Sequence, residues 1–183
     1  LETPAGPASP FIWFEITPDN HTTIYVPKVE MGQGIHTTLA QIAADELELD
    51  WDTITVKQAN LAQGFDEQMI FTFGSTSTTS LFKPMRQIGA TMREMLRDAA
   101  AEQFNTGAEQ IVLESSHIYA RENPENRLSY GEVIAAHQGE WVIPESEPVL
   151  KSRENWNLIG RTMNRVDFQE KITGRAVYGY DAR

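Results

Sequence analysis

The sequence predicts an α+β fold, with a small mixed or antiparallel sheet and two main helices packed against it. Three observations carry that prediction. Short runs at residues 11–16, 22–26 and 53–58 read as strands. Two segments, residues 35–47 and about 81–104, place apolar side chains at helical spacing. Each helix is fed by small residues, Gly32-Gln33-Gly34 for the first and the run from Gly74 to Ser80 for the second.

Taken in order, residues 1–10 are rich in Pro, Ala and Gly and read as a linker left after a targeting segment or an upstream piece has been removed. The first two strand-like runs flank Pro18-Asp19-Asn20, whose turn chemistry predicts a hairpin. Glu30 to Gly34 is a tight glycine-bearing loop, and the helix after it puts Leu39, Ile42, Ala43 and Leu47 on one face. Residues 53–58 follow as a strand and 59–68 as a polar loop. The long helix carries a stripe of Met85, Ile88, Met92, Leu96 and Ala99, with Pro84 in a first turn that tolerates proline. Residues 111–114 and 117–121 predict a second hairpin, and Ser129-Tyr130-Gly131-Glu132 has the spacing of a capping box for a short helix ending near Gly139. Residues 144–156 are extended. The tail lacks helical period, and residues 174–180 read as the start of a new strand. The chain thus divides into a linker over 1–10, a domain over 11–150, and a second linker over 151–183 that leads into a following domain. Leu158, Ile159, Val166, Phe168, Val177 and Tyr178 have no evident partner, so an exposed patch and self-association are expected.

Composition narrows the function. Asp and Glu number 26 against 15 Lys and Arg, for a formal charge of −11 in 183 residues. Such a surface repels nucleic acid and anionic membranes, so neither is an expected partner. The absence of cysteine excludes disulfides, iron–sulfur clusters and thiolate metal sites within this chain. No apolar run approaches the ~20 residues of a membrane span. The four histidines, His21, His36, His117 and His137, never fall three or four residues apart, which argues against a helical metal site. Met31, Met69, Met85, Met92 and Met95 read as core filler, and the acidic cluster from Asp45 to Asp52 as largely solvated.

The two small-residue loops share a physical logic. A helix start exposes unpaired N–H groups and the positive end of the dipole, and glycine lets a ligand approach the backbone. Anions bind at such starts. Gln33 adds an amide to the first loop, and residues 75–80 add a dense set of hydroxyls to the second, so together the loops can cradle a diphosphate. Neither has the lysine of a phosphate-binding P-loop or the three-glycine dinucleotide fingerprint. Residue chemistry alone leaves a second reading open, in which the glycines make a turn and the hydroxyls cap a helix.

Glu30-Met31-Gly32-Gln33-Gly34-Ile35-His36-Thr37 resembles the glycine–glutamine loop of the molybdopterin-binding large subunits of the xanthine dehydrogenase / aldehyde oxidase family, of the isoquinoline 1-oxidoreductase beta-subunit type. Downstream, Ala44-Asp45-Glu46-Leu47, residues 51–56, Gly74-Ser75-Thr76-Ser77, residues 86–90, residues 156–161 and residues 171–176 resemble later family segments in the same order. The resemblance implies one lobe of a molybdenum-cofactor-binding domain, the amino-terminal portion of a longer subunit. It implies molybdopterin cytosine dinucleotide with molybdenum, with Gly32, Gln33, Gly34 and His36 near its phosphates and Gly74, Ser75, Thr76, Ser77 and Thr78 supplying hydroxyls and N–H donors. It also implies hydroxylation of an aldehyde or N-heteroaromatic carbon with oxygen from water. The expected partners are the remainder of the large subunit, an iron–sulfur electron-transfer subunit or domain, and a small-molecule substrate. Export to the periplasm, or membrane association through partners, is the expected location. The family's catalytic glutamate lies near the carboxyl end of a much longer subunit, so no residue here is assigned a catalytic role and this chain alone is expected to be inactive. The alternative is a non-catalytic interaction or assembly domain of the same fold without pterin. Arg86, in the helix behind the second loop, is either a phosphate contact or a surface ion-pair partner.

Overall fold

The first hairpin forms as its turn residues dictate. In a computed structural model, which describes residues 9–181, β1 (Phe14–Ile16) pairs antiparallel with β2 (Thr22–Val26). Asn20 takes the left-handed conformation, φ 64°, that such a turn needs. Only Ser9 and Pro10 of the expected 1–10 linker lie within the described residues. After β2 the chain crosses over through α1 (Ile35–Glu46) to β3 (Ile54–Gln58), which pairs parallel to β2, because a parallel pair requires such a crossover. The sheet is mixed, in the order β1-β2-β3.

A short helix α2 (Glu67–Ile70) and a loop lead into α3 (Ser77–Phe104). Its 28 residues span about 42 Å at ~1.5 Å per residue. That length carries the chain away from the first sheet. The next strands, β4 (Ile111–Glu114), β5 (His117–Ala120) and β6 (Arg127–Ser129), therefore pair with one another as a separate antiparallel sheet. The α+β class holds, with two small sheets where one was expected. Ser129 and Glu132 form the capping box that starts α4 (Tyr130–Ala136).

Two expectations about α3 need correction. It begins at Ser77, four residues earlier than its apolar stripe suggests, so Ser77 to Ser80 are its first turn and not a loop. Pro84 then lies inside the helix and leaves the Ser80 carbonyl without a helical partner.

One core joins both sheets. Trp13, Phe14, Ile24 and Val26 from the first side meet Leu39, Ile42, Ala43 and Leu47 of α1, then Met85, Ile88, Met92 and Leu96 of α3, then Ile111, Leu113 and Ile118 of the second sheet. Both helical stripes are buried as their periodicity requires. Gly89 allows α1 and α3 to approach, since a Cβ there would stand 2.7 Å from the Ala43 carbonyl oxygen. The Tyr130 hydroxyl donates to the Leu47 carbonyl at 2.7 Å, tying α4 to the end of α1. Met31 departs from the core-filler reading and is 66% exposed.

The acidic cluster and the tail also differ from expectation, and for one reason. Asp45 and Glu46 are buried, not solvated. Glu46 takes Arg86 at 2.6 Å and Arg93 at 3.1 Å, both from α3, and the Lys151 N–H at 3.0 Å. Arg86 is thus a largely buried ion-pair partner and not a surface one. Asp45 accepts the N–H groups of Leu158 and Ile159 at 2.8 and 2.7 Å, and its Oδ1 lies 2.7 Å from the Lys151 ammonium as an ion pair. Leu158 and Ile159 pack on the core as a result, while Phe168, Val177 and Tyr178 stay exposed. The tail holds a short helix, α5 (Phe168–Ile172), and no strand forms over the described residues after it.

Candidate functional site

The loop between β2 and α1 is closed by its own side chains. Gly32 and Gly34 take positive φ of 107° and 79°, conformations that suit glycine. Gly34 is the N-cap of α1 and has no side chain to cap with. Glu30 does that work instead. Its Oε1 accepts the N–H groups of Gly32 and Gly34 at 2.9 and 3.0 Å, and its Oε2 accepts that of His36 at 3.2 Å. Burial pushes the Glu30 carboxyl up, but these N–H groups and the Arg165 guanidinium outweigh burial and hold it below the usual carboxylate range. The anion at the start of α1 is therefore the protein's own. The Gln33 side chain is also engaged, accepting from the Met31 N–H at 2.7 Å and donating to the Val29 carbonyl at 2.8 Å.

The start of α3 is different. Gly74 and Ser75 turn the chain at φ 65° and 56°. The N-cap Thr76 makes no capping bond, and no acidic residue stands in the first turn. The hydroxyls point backwards, Thr76 to the Phe73 carbonyl at 3.2 Å and Thr79 to the Thr76 carbonyl at 3.0 Å. The backbone donors of this first turn thus lack a side-chain acceptor among the described residues. Behind the loop sits Lys28, 7% exposed, whose ammonium donates to the Phe71 carbonyl at 2.8 Å. Burial pulls its pKa down, with Asp66 partly opposing. The Val29 N–H donates to the Thr72 hydroxyl at 2.9 Å. Residues 28–29 therefore clamp residues 71–72.

These two loops face each other across one cleft of about 480 Å³, a size within the range of ligand sites. Gln33, Gly74, Ser75, Ser77 and Thr78 line it, together with Met31, Ile35, Thr38, Thr72 and Phe73. Gly32, Gly34 and Thr76 belong to the same loops but do not line it. His36 turns to the opposite side, where its Nε2 lies 2.9 Å from the Lys28 carbonyl and 3.1 Å from Gln58 Oε1. In a chain with 26 acidic residues, no carboxylate among the described residues lines this cleft. Larger hollows of about 720 and 950 Å³ are walled partly by the tail and mix acidic with basic side chains.

Sequence reasoning missed Lys28, Glu30, Thr72, Phe73 and Arg165. Glu30 carried a signal, since an acidic residue just before a helix start marks an N-terminus. Phe71-Thr72-Phe73 directly before Gly74 was a second, as exposed aromatics beside a glycine turn. Arg165 carried none.

The family model described as the molybdopterin cofactor-binding domain matches residues 3–181. Isoquinoline 1-oxidoreductase subunit beta of Brevundimonas diminuta is 28% identical, aligned over 96% of this chain and 27% of its own length. A membrane-bound aldehyde dehydrogenase [pyrroloquinoline-quinone] of Gluconacetobacter polyoxogenes is 31% identical over 97% of this chain and 23% of its own length. The chain thus spans about a quarter of these relatives. Among solved structures, quinoline 2-oxidoreductase from Pseudomonas putida 86 superimposes with a TM-score of 0.53 at 23% identity, covering 67% of this chain and 15% of that one, a likeness of fold.

Proposed function

Because the chain belongs to the molybdopterin cofactor-binding domain family of the molybdenum hydroxylases, we propose that it holds the phosphate-bearing part of the cofactor, in its cytosine dinucleotide form, in the cleft between the two loops. The observation that carries this reading is a cleft with no carboxylate among the described residues, in a strongly acidic chain, with an uncapped helix start on its wall. The residues present fit an anionic diphosphate. Backbone N–H groups at the start of α3 donate to phosphate oxygens, aided by the helix dipole. Ser75, Ser77 and Thr78 offer hydroxyls, and Gln33 closes the opposite wall. Gly32, Gly34 and His36 act indirectly, by shaping the Gln33 loop around Glu30. Thr76 supports the turn from behind. The described residues contain no group of three or more His, Cys, Asp or Glu suited to a metal.

When bound, the cofactor supplies two-electron oxidation and oxygen transfer. The full-length protein then hydroxylates an aldehyde or N-heteroaromatic carbon with oxygen from water, a reading supported by relatives named for isoquinoline and for aldehyde. The remainder of the subunit closes the site, and an iron–sulfur subunit or domain carries the electrons away. This chain alone binds but does not turn over. Export to the periplasm, or attachment to a membrane through partners, completes the reading; no helix among the described residues is long and apolar enough to cross a membrane.

A second reading has its own observation. The first loop is complete without a ligand, because Glu30 and Gln33 already satisfy it. That suits an assembly domain of the same fold. Metal and pterin analysis of the purified full-length protein decides between them. Molybdenum, pterin and released cytidine monophosphate in equal amounts are expected. A folded protein free of pterin and molybdenum, expressed where related enzymes are loaded, would establish the assembly reading instead.

A further inference from the structure

One face of α1 is polar, and it is covered. Thr37, Gln41 and Asp45 fall four residues apart, so they line up along one side of the helix. Each holds the tail by its backbone. Asp45 accepts the N–H groups of Leu158 and Ile159. Gln41 donates to the Arg161 carbonyl at 2.9 Å. Thr37 accepts the Val166 N–H at 3.0 Å. The tail thus runs along α1 from its carboxyl end to its amino end, as a splint. There Arg165 reaches the first loop. Its guanidinium donates to the Gly32 carbonyl at 2.8 Å and to Glu30 Oε1 at 3.1 Å. Asp167 orients it with two bonds of 2.8 Å, and Lys171 in turn holds Asp167 at 2.6 Å.

An ordinary surface pair contributes little. This one differs in kind, because Arg165 binds a backbone carbonyl of the loop and the same carboxylate oxygen that orders the loop's N–H groups. The Glu30 side chain is only 14% exposed. The bond to Glu30 is charge-assisted, and the Asp167 carboxylate grips the same guanidinium bidentately, which fixes geometry as well as adding energy.

We propose that Arg165 is a positioning residue for the cleft: docked through the splint of residues 158–167, it fixes the loop that presents Gln33 to the ligand. The inference rests on the cofactor reading for its functional consequence, but its structural half stands apart. The test uses the full-length protein with Arg165→Met, Arg165→Lys and Glu30→Gln. The first readout is amide exchange, which reports local opening. Faster exchange at residues 32–36 is expected in Arg165→Met, with residues 88–96 of α3 unchanged. The second is release of pterin and molybdenum on dilution, expected to be faster by roughly tenfold in Arg165→Met and less in Arg165→Lys. Glu30→Gln combined with Arg165→Met should add little to the larger single effect, because residues in one network are not additive. Unchanged exchange at residues 32–36 in Arg165→Met overturns the proposal, whether or not cofactor is present. If that variant does not fold, Arg165→Lys decides by the same exchange readout. A wild type without cofactor contradicts the functional reading above and leaves the exchange arm to decide this one.

Discussion

Replacing Glu46 with Ala should destabilise the domain by about 3–5 kcal/mol, the cost of leaving buried charges without their partner. The reasoning starts from burial. Glu46 is 0% exposed, and its carboxylate is shared by Arg86 at 2.6 Å and Arg93 at 3.1 Å. Removing it leaves Arg93, 6% exposed, with the Glu46 and Val149 carbonyls and the neighbouring Glu94 as acceptors. The tail also loses the anchor of the Lys151 N–H. For a domain of this size, ~1 kcal/mol moves the melting temperature by roughly 2–4 °C, so a fall of about 6–20 °C is expected. Glu46→Gln keeps the shape and one acceptor, and should cost less, about 1.5–3 kcal/mol. The assay is urea unfolding and thermal melting of cofactor-free protein at low and high salt. Because the network is buried, raising salt should barely change the difference. A loss under ~1 kcal/mol for Glu46→Ala, or one erased by salt, would refute the claim that this network joins α1, α3 and the tail.

Lys28→Met retains the aliphatic stem but removes the bond to the Phe71 carbonyl; a loss of about 1 kcal/mol in urea unfolding is expected, with faster amide exchange confined to residues 71–75. On acidification, burial raises the Asp45 carboxyl, but the Ile159 and Leu158 N–H groups and Lys151 outweigh it and hold it low, as the loop N–H groups hold Glu30 low. Folded values depressed below unfolded ones mean that this stabilisation is complete above about pH 5 and is lost as pH falls through the folded values. Melting temperature should therefore fall below that point, and Asp45→Asn, already weakened at neutral pH, should show a shallower fall; parallel profiles would count against it.

Much of the scaffold was legible because it is local. Asn20 sets its own turn, Leu39 and Met85 reveal their faces by spacing, and Ser129 caps through a residue three positions away. What escaped is long-range. Asp45 and Glu46 look like part of a solvated cluster until Arg86, Arg93 and Lys151 arrive from 40 to 106 residues away. The start of α3 was misplaced because serine and threonine are weak helix formers that favour caps and turns, and here four of them occupy the first turn. Both small-residue loops were visible in the sequence, and the structure brings Gln33, Gly74, Ser75, Ser77 and Thr78 to one cleft. It was not visible that Glu30 would fill one helix start and leave the other open, nor that His36 would face away. Those outcomes depend on side-chain direction and on a tail contact from Arg165.

The most direct test of the account is Thr78→Asp in the full-length protein. Thr78 lies in the first turn of α3 and lines the cleft. A carboxylate there suits the helix dipole and should stabilise the cofactor-free fold by roughly 0.3–1 kcal/mol. The same charge repels an anionic ligand from the same N–H groups. Binding to the native state raises apparent stability, so the melts must compare cofactor-free forms. The account predicts an unchanged or higher melting temperature together with a severe loss of bound pterin and molybdenum. Full cofactor loading in this variant would contradict the claim that the start of α3 receives the cofactor's phosphates.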